Sequence, residues 1–125
     1  MSADTVDEEA LAAVCGHCAG LPGATLDHTF GEDSDVYRVG NKMFALVNTE
    51  GRGFATLKAP PEEVRALLEQ HEFARPGYYM NKRHWVTLDL VEGVPVGEVL
   101  ELVGESYRLV LEALPKKAQA EIRSA

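Results

Sequence analysis

Residues 77–90 read GYYMNKRHWVTLDL, and the second half of this stretch decides the fold. From Trp85 to Leu90, apolar residues occupy every second position. A period of two places neighbouring side chains on opposite faces of a strand. We therefore predict a half-buried β-strand over residues 85–90, with a turn at Asn81-Lys82-Arg83 before it.

The same stretch combines aromatic rings with positive charge. It holds two of the four tyrosines, the single tryptophan and the adjacent Lys82 and Arg83. Flat rings beside cations are the ingredients of sequence-tolerant nucleic-acid contact. The structural alternative is that the aromatic residues pack half-buried on the sheet while the basic turn is merely solvated.

Upstream of this stretch the sequence predicts one helix and four strands. Apolar residues at the spacing i, i+3, i+4, i+7 indicate a helix over residues 7–19, capped by Asp4 or Thr5. The strands are predicted at residues 25–30, 35–39, 42–48 and 53–58. Short turns such as Gly40-Asn41 separate them, and tight turns join antiparallel neighbours.

Two further helices complete the predicted fold. Pro60-Pro61-Glu62-Glu63 is typical of a helix start, and Gly93-Val94-Pro95 opens the longest helix. The order α-β-β-β-β-α-β-β-α predicts a single α+β domain over residues 1–125, with two layers. We expect an antiparallel sheet of five to six strands with helices on one face and the other face accessible.

The charge is unevenly distributed along the chain. The formal net charge is −8, and residues 1–37 contain eight acids and no Lys or Arg. Residues 38–58 sum to +3 and residues 73–91 to +2. Because the positive blocks coincide with predicted strands, an acidic protein is expected to present one basic surface.

Two short patterns with cysteine or histidine are candidate sites. Cys15-Gly16-His17-Cys18 matches a dithiol redox pattern, but the pair lies late in a predicted helix and on its apolar stripe, so we expect buried, reduced thiols. His28 beside Asp27, with Glu32, Asp33 and Asp35 nearby, indicates acid/base chemistry, a divalent-cation site or a solvated turn, and the turn is favoured. Zinc-like ligand spacing is absent, so no metal, cofactor or catalytic residue is expected.

The sequence has no apolar run long enough to span a membrane, and its N-terminal residues do not have the pattern of a signal peptide. Its N-terminal residues are acidic and lack a basic start followed by an apolar core. The expected compartment is the cytoplasm.

Several short motifs, taken in order, carry a resemblance to a known family: Leu21-Pro22-Gly23-Ala24, Phe30-Gly31, Lys42-Met43-Phe44-Ala45, Pro76-Gly77-Tyr78-Tyr79, His84-Trp85-Val86, Ser106-Tyr107 and Leu114-Pro115-Lys116-Lys117. This ordered set resembles the MmcQ/YjbR family. The resemblance implies a compact α+β fold similar to secretion chaperones and to the CyaY arrangement. Family members are commonly labelled DNA-binding, with a double-wing motif.

The resulting expectation is a non-enzymatic binding module. Weak contact with DNA or another nucleic acid is expected at seven residues, Tyr79, Lys82, Arg83, His84, Trp85, Lys42 and Lys58. The alternative is a protein-interaction or chaperone-like adaptor that uses the open sheet face, with a homodimer as one form.

Overall fold

The computed structural model describes residues 5–77 and 80–124 of the chain. Its elements are α1 (Glu8–Gly20), β1 (Thr25–Asp27), β2 (Ser34–Val39), β3 (Lys42–Asn48), β4 (Phe54–Lys58), α2 (Pro61–Gln70), β5 (Ala74–Pro76), β6 (Trp85–Asp89), α3 (Val96–Glu112) and α4 (Lys116–Arg123).

The six strands form one antiparallel sheet in the order β1-β2-β3-β4-β6-β5. The predicted meander is thus confirmed for β1 to β4. The β2–β3 turn uses Gly40 and Asn41, with φ of 57° and 68°. Positive φ at both central residues is the requirement of a type I′ hairpin turn, which glycine and asparagine adopt most readily.

The helices cover one face of the sheet. Helix α3 packs on β2, β3 and β4, α1 packs against α3, and α2 contacts β5 and β6. Phe44 is fully buried in this layer and meets the Tyr107 ring edge-on, with 5.3 Å between ring centroids. The two-layer α+β class is therefore confirmed.

Phe44 and its neighbour Ala45 are both fully buried in the core, although strict alternation would place them on opposite faces of β3. Tyr37 pairs with Ala45 and Arg38 pairs with Met43, so Phe44 is an extra residue between the two pairs. This β-bulge turns Phe44 towards the helices.

Two differences from the sequence prediction, the cap of α1 and the end of β1, have a clear local cause. The cap of α1 is Asp7, whose Oδ1 accepts the N–H groups of Glu9 and Ala10 at 3.1 Å each. Strand β1 ends at Asp27, because the carboxylate of Asp27 accepts the backbone N–H of Thr29 and draws the chain into a turn.

The chain also ends in a fourth helix, α4, which the predicted element order omits. Pro115 ends the pattern of α3, but proline also suits the start of a new helix. Gln119 on α4 is buried, and its Nε2 donates to the carbonyl oxygens of Glu112 and Leu114 at 3.2 and 2.8 Å. Those bonds satisfy carbonyl groups that the end of α3 leaves free.

The face of the sheet away from the helices, here called the outer face, is less open than predicted. Val36, Thr56 and Thr87 lie along its centre and are at most 1% exposed. The Thr56 and Thr87 hydroxyl oxygens are 2.8 Å apart and hydrogen-bonded. Accessible surface on this face is concentrated in a groove described below.

Among residues 5–77 and 80–124, no helix combines the length and apolar character needed to cross a membrane.

Candidate functional site

The strand register gathers the predicted cations at one end of the sheet. Lys42 is the first residue of β3, Lys58 is the last of β4, and Trp85 is the first of β6. Lys58 and Trp85 are directly opposed across the β4–β6 ladder. Because neighbouring strands are antiparallel, the start of β3, the end of β4 and the start of β6 coincide.

Lys42, Lys58 and Trp85 line a single cavity of about 370 Å³. Its remaining walls come from Met43 and from the end of α3, through Val110, Ala113 and Leu114. Trp85 is half-buried, so its ring is neither fully in the core nor fully in solvent. Two lysines and one large aromatic residue therefore contribute to the lining of one cavity.

The turn before β6 adds two exposed cations, Lys82 and Arg83. The Asn81 carbonyl accepts the N–H groups of His84 and Trp85 at 3.0 Å each, and Asn81 Oδ1 accepts the Arg83 N–H at 2.9 Å. The half-buried His84 is fixed further because its carbonyl accepts the Ala59 N–H at 2.9 Å. Lys42, Lys58, Lys82, Arg83 and Trp85 are together called the basic end.

The cations of the basic end are not neutralised by neighbouring acids. Within the described ranges, Lys42, Lys58, Lys82 and Arg83 form no ion pair with a carboxylate. Elsewhere, three arginines are paired with acids: Arg38 with Asp27, Arg75 with Asp89, and Arg108 with Glu105 and Glu112. The unpaired charge at the basic end is thus available to an external anion.

Acidic residues concentrate between α2 and α3. A cleft there is lined by Glu63, Glu98, Glu101 and Glu105, with Leu67 and Leu102 as its apolar residues. The cleft between α2 and α3 therefore differs in charge from the basic end. A polyanion is attracted to the basic end and repelled by this cleft.

The outer face holds a second concave site, here called the outer groove, of about 380 Å³. Strand residues and two loops line it: Phe30, Asp33, Ser34, Leu46, Asn48, Phe54, Thr56 and Met80. Phe30 is 58% exposed at its edge. Most of the lining is apolar, with polar groups at one rim.

A polar network around Asp35 was not anticipated from the sequence. Asp35 Oδ1 lies 3.0 Å from His28 Nε2, and Asp35 Oδ2 accepts from the Tyr37 hydroxyl at 3.3 Å and from the Cys15 thiol at 3.9 Å. His28 and Asp35 are recognisable in the sequence as polar turn residues. The approach of Cys15 depends on how α1 packs, which no local pattern reveals.

The two thiols lack the properties of a redox pair. Burial raises the pKa of Cys18 to about 12, and it raises the pKa of Cys15 as well. Cys18 is fully buried as predicted, but Cys15 is only half-buried because it lies at the edge of α1 towards Asp35. Among the described residues no group of three His, Cys, Asp or Glu side chains is arranged to hold a metal ion.

Six of the seven predicted contact residues fall within the described ranges. The structure brings Lys42, Lys58 and Trp85 to one cavity and places Lys82, Arg83 and His84 in the adjoining turn. Tyr79 lies outside the described residues.

Comparison with known proteins gives one consistent match. The YjbR family model matches residues 19–109. The uncharacterized protein YbdF of Escherichia coli O157:H7 is 36% identical over 107 residues, which cover 82% of this chain and 85% of YbdF. The uncharacterized protein YjbR of Escherichia coli K12 is 31% identical over 102 residues, covering 81% and 86% of the two chains.

Solved structures agree with the sequence matches. The crystal structure of Deinococcus radiodurans protein DR2400, with a DUF419 domain, superposes with a TM-score of 0.84 at 28% identity. That superposition covers 98% of this chain and 91% of DR2400. A protein from Pseudomonas syringae matches with a TM-score of 0.58 at 27% identity, over 70% of this chain and 86% of that one.

Proposed function

This chain belongs to the YjbR family, and from that premise and the site geometry we propose that it is a non-enzymatic module that binds single-stranded nucleic acid at its basic end. The observation that carries the proposal is the meeting of unpaired Lys42 and Lys58 with Trp85 around one cavity. The exposed turn with Lys82 and Arg83 extends that positive surface.

The side chains of the basic end suit a single-stranded nucleic acid, whose phosphates and base faces are both accessible. Ammonium and guanidinium groups neutralise phosphates, and aromatic rings provide stacking surfaces for unpaired bases. A duplex hides its base faces and brings more phosphates towards the acidic remainder of the molecule. Single strands are therefore favoured over duplexes.

The binding is expected to be weak and strongly dependent on salt. Four cations neutralise about four phosphates, which gives a slope of about −3 in log affinity against log salt for a single strand. Dissociation constants at physiological salt are then on the order of micromolar or higher.

The test is fluorescence anisotropy with labelled single- and double-stranded oligonucleotides at low salt. The double variant Lys82→Glu, Arg83→Glu should weaken single-strand binding at least about tenfold, because two contacts become repulsive. The matched control is Arg52→Glu, Arg65→Glu, which makes the same charge change at two exposed positions away from the basic end. Equal loss in both double variants would show that net charge alone governs binding and would overturn the proposal.

The second candidate is a protein-interaction module that associates through the outer face. The observation in its favour is the exposure of one large apolar side chain on this face, Phe30, at 58%. Exposed apolar surface commonly marks an interface. Sedimentation velocity over a wide concentration range decides this candidate: a dimer that Phe30→Ala abolishes supports it, and monomers throughout exclude self-association.

A further inference from the structure

The outer groove has the size and lining of a small-ligand site. Its volume of about 380 Å³ falls within the range of roughly 300–1,000 Å³ that is usual for such sites. Two aromatic rings, Phe30 and Phe54, contribute to its walls together with Leu46 and Met80. Walls of this kind suit a flat ring that stacks on aromatic and aliphatic groups.

Phe54, on one wall of the groove, has a charged pair beside its ring. The Arg75 guanidinium carbon lies 5.8 Å from the centre of the Phe54 ring. Asp89 holds that guanidinium through bonds of 3.0 Å to Nε and 2.8 Å to Nη2. This contact supports one position of the Phe54 ring, and a ring already placed for its ligand lowers the entropy cost of binding.

The polar rim offers a hydrogen-bond acceptor. Asp33 is exposed, and its backbone is anchored because its carbonyl accepts the Thr49 N–H at 2.8 Å. Asn48 beside it is already engaged, since its Oδ1 accepts the Gly53 N–H and its Nδ2 donates to the Asp33 carbonyl. Among the described residues, the Asp33 carboxylate has a single hydrogen-bond contact, at 3.5 Å from the Ser34 hydroxyl, so it keeps acceptor capacity for a ligand.

The outer groove adjoins the basic end along strand β4, although the basic cavity itself opens at the end of the sheet, between the strands and α3. Phe54, Thr56 and Lys58 alternate along β4, and Thr56 lines the groove while Lys58 lines the basic cavity. Four residues of strand separate Phe54 from Lys58, or about 13 Å. A chain of a few nucleotides spans that distance.

We propose that the outer groove binds a guanine base of a single strand whose phosphates lie at the basic end. Guanine carries two adjacent N–H donors on its Watson–Crick edge, so one carboxylate accepts both. Uracil and thymine carry one N–H between two carbonyl oxygens, which the Asp33 carboxylate repels. The proposal deepens the proposed function and rests on it for the path of the phosphates.

The experiment is an NMR titration of the ¹⁵N-labelled protein with guanosine and, separately, with uridine. Guanosine should shift the amide signals of groove residues and bind at least about fivefold tighter than uridine. Phe30→Ala should weaken guanosine binding at least about fivefold, the lower end of a lost stacking contact. Leu26→Ala is the matched control, because it removes the other exposed large apolar side chain without touching the groove.

The carboxylate is tested with Asp33→Asn, which keeps the shape but replaces one acceptor oxygen by a donor. It should remove the preference for guanosine, whereas Glu32→Gln, an exposed neighbour outside the groove lining, should keep it. Shifts confined to other regions, equal binding of the two nucleosides, or unchanged affinity in Phe30→Ala would each overturn the guanine site.

An abasic deoxyribose-phosphate strand separates this inference from the proposed function. If that strand binds at low salt and loses affinity in Lys82→Glu, Arg83→Glu while guanosine leaves the groove signals unchanged, the guanine site is wrong and the basic end stands. If guanosine binds but no strand does, phosphate binding at the basic end is wrong.

Discussion

The backbone N–H of Lys58 donates a hydrogen bond to the side-chain oxygen of Ser106, 2.9 Å away, and this bond ties α3 to the end of β4. The Ser106 hydroxyl in turn donates to the Phe44 carbonyl oxygen at 2.6 Å. Ser106 is fully buried, so water does not compete for these groups. One helical side chain thus satisfies two strand backbone groups beside the basic end.

Replacing Ser106 by alanine should destabilise the protein. The Lys58 N–H and the Phe44 carbonyl would lose a partner in a buried setting, which costs about 1–3 kcal/mol of unfolding free energy. Urea denaturation measures the change. The control is Ser124→Ala, an exposed serine whose hydroxyl donates to the Glu121 carbonyl at 3.3 Å. Equal denaturation midpoints for the two variants would mean that the buried groups find other partners.

Acid stability should depend on Asp27. The Thr29 hydroxyl, the Thr29 backbone N–H and Arg38 hold the pKa of Asp27 at about 2, below its ordinary value of 3.8. The unfolded chain therefore binds this proton first as the pH falls. The contribution of Asp27 to stability is present above pH 3.8 and is lost as the pH falls to about 2.

Thermal midpoints measured from pH 2 to pH 7 test this prediction. Asp27→Asn should lower the midpoint at pH 7 and flatten its dependence on pH in the acid window. The matched control is Glu32→Gln, which removes a nearby exposed carboxylate without touching Thr29 or Arg38. A wild-type acid slope in Asp27→Asn would contradict the assignment.

The two thiols should differ in accessibility while both react slowly. Burial raises the pKa of Cys18 to about 12 and also raises that of Cys15, so the thiolate is scarce at neutral pH. Iodoacetamide labelling followed by mass spectrometry should find slow modification of half-buried Cys15 and protection of Cys18 until urea unfolds the chain. Rapid labelling of Cys18 in the native state would show that α1 opens readily.

Local patterns were sufficient to locate most strands and the longer helices. The turn compositions on either side of residues 42–48 predicted β3 with the bounds that the structure shows, and Gly40-Asn41 identified the turn before it. The match follows because a half-buried strand and a type I′ turn are decided by neighbouring residues. Helix α4 was missed because it has few apolar residues. Its position depends on contacts with the end of α3, which a local pattern does not reveal.

The sequence predicted which residues belong to the candidate site, but it did not predict how they are arranged in space. Charge counting identified Lys42 and Lys58 as contributors, but their meeting with Trp85 depends on the β4–β6 register. The outer groove combines Phe30 with Phe54, which lie far apart in the chain. Such long-range pairings leave no periodic signal in a single sequence.

Gly77 should be required for the placement of Trp85 at the basic end. Its N–H donates to the Trp85 carbonyl oxygen at 3.2 Å. A Cβ at position 77 would lie 2.8 Å from that oxygen and 2.9 Å from the carbonyl carbon, closer than real contacts allow. Because the obstructing atoms are backbone, Gly77→Ala must displace the start of β6 itself.

We expect Gly77→Ala to cost about 1–3 kcal/mol, as is usual when a packed site is overfilled, and to weaken single-strand binding by moving Trp85 away from Lys58. Urea denaturation and anisotropy measure the two effects on the same preparation. Gly104→Ala is the control, since the new Cβ on α3 meets no atom within 4 Å. That substitution should instead stabilise the helix by roughly 0.5–1 kcal/mol and leave binding unchanged. If the Gly77→Ala variant is destabilised but binds the single strand as tightly as the wild type, then binding does not depend on the position of Trp85.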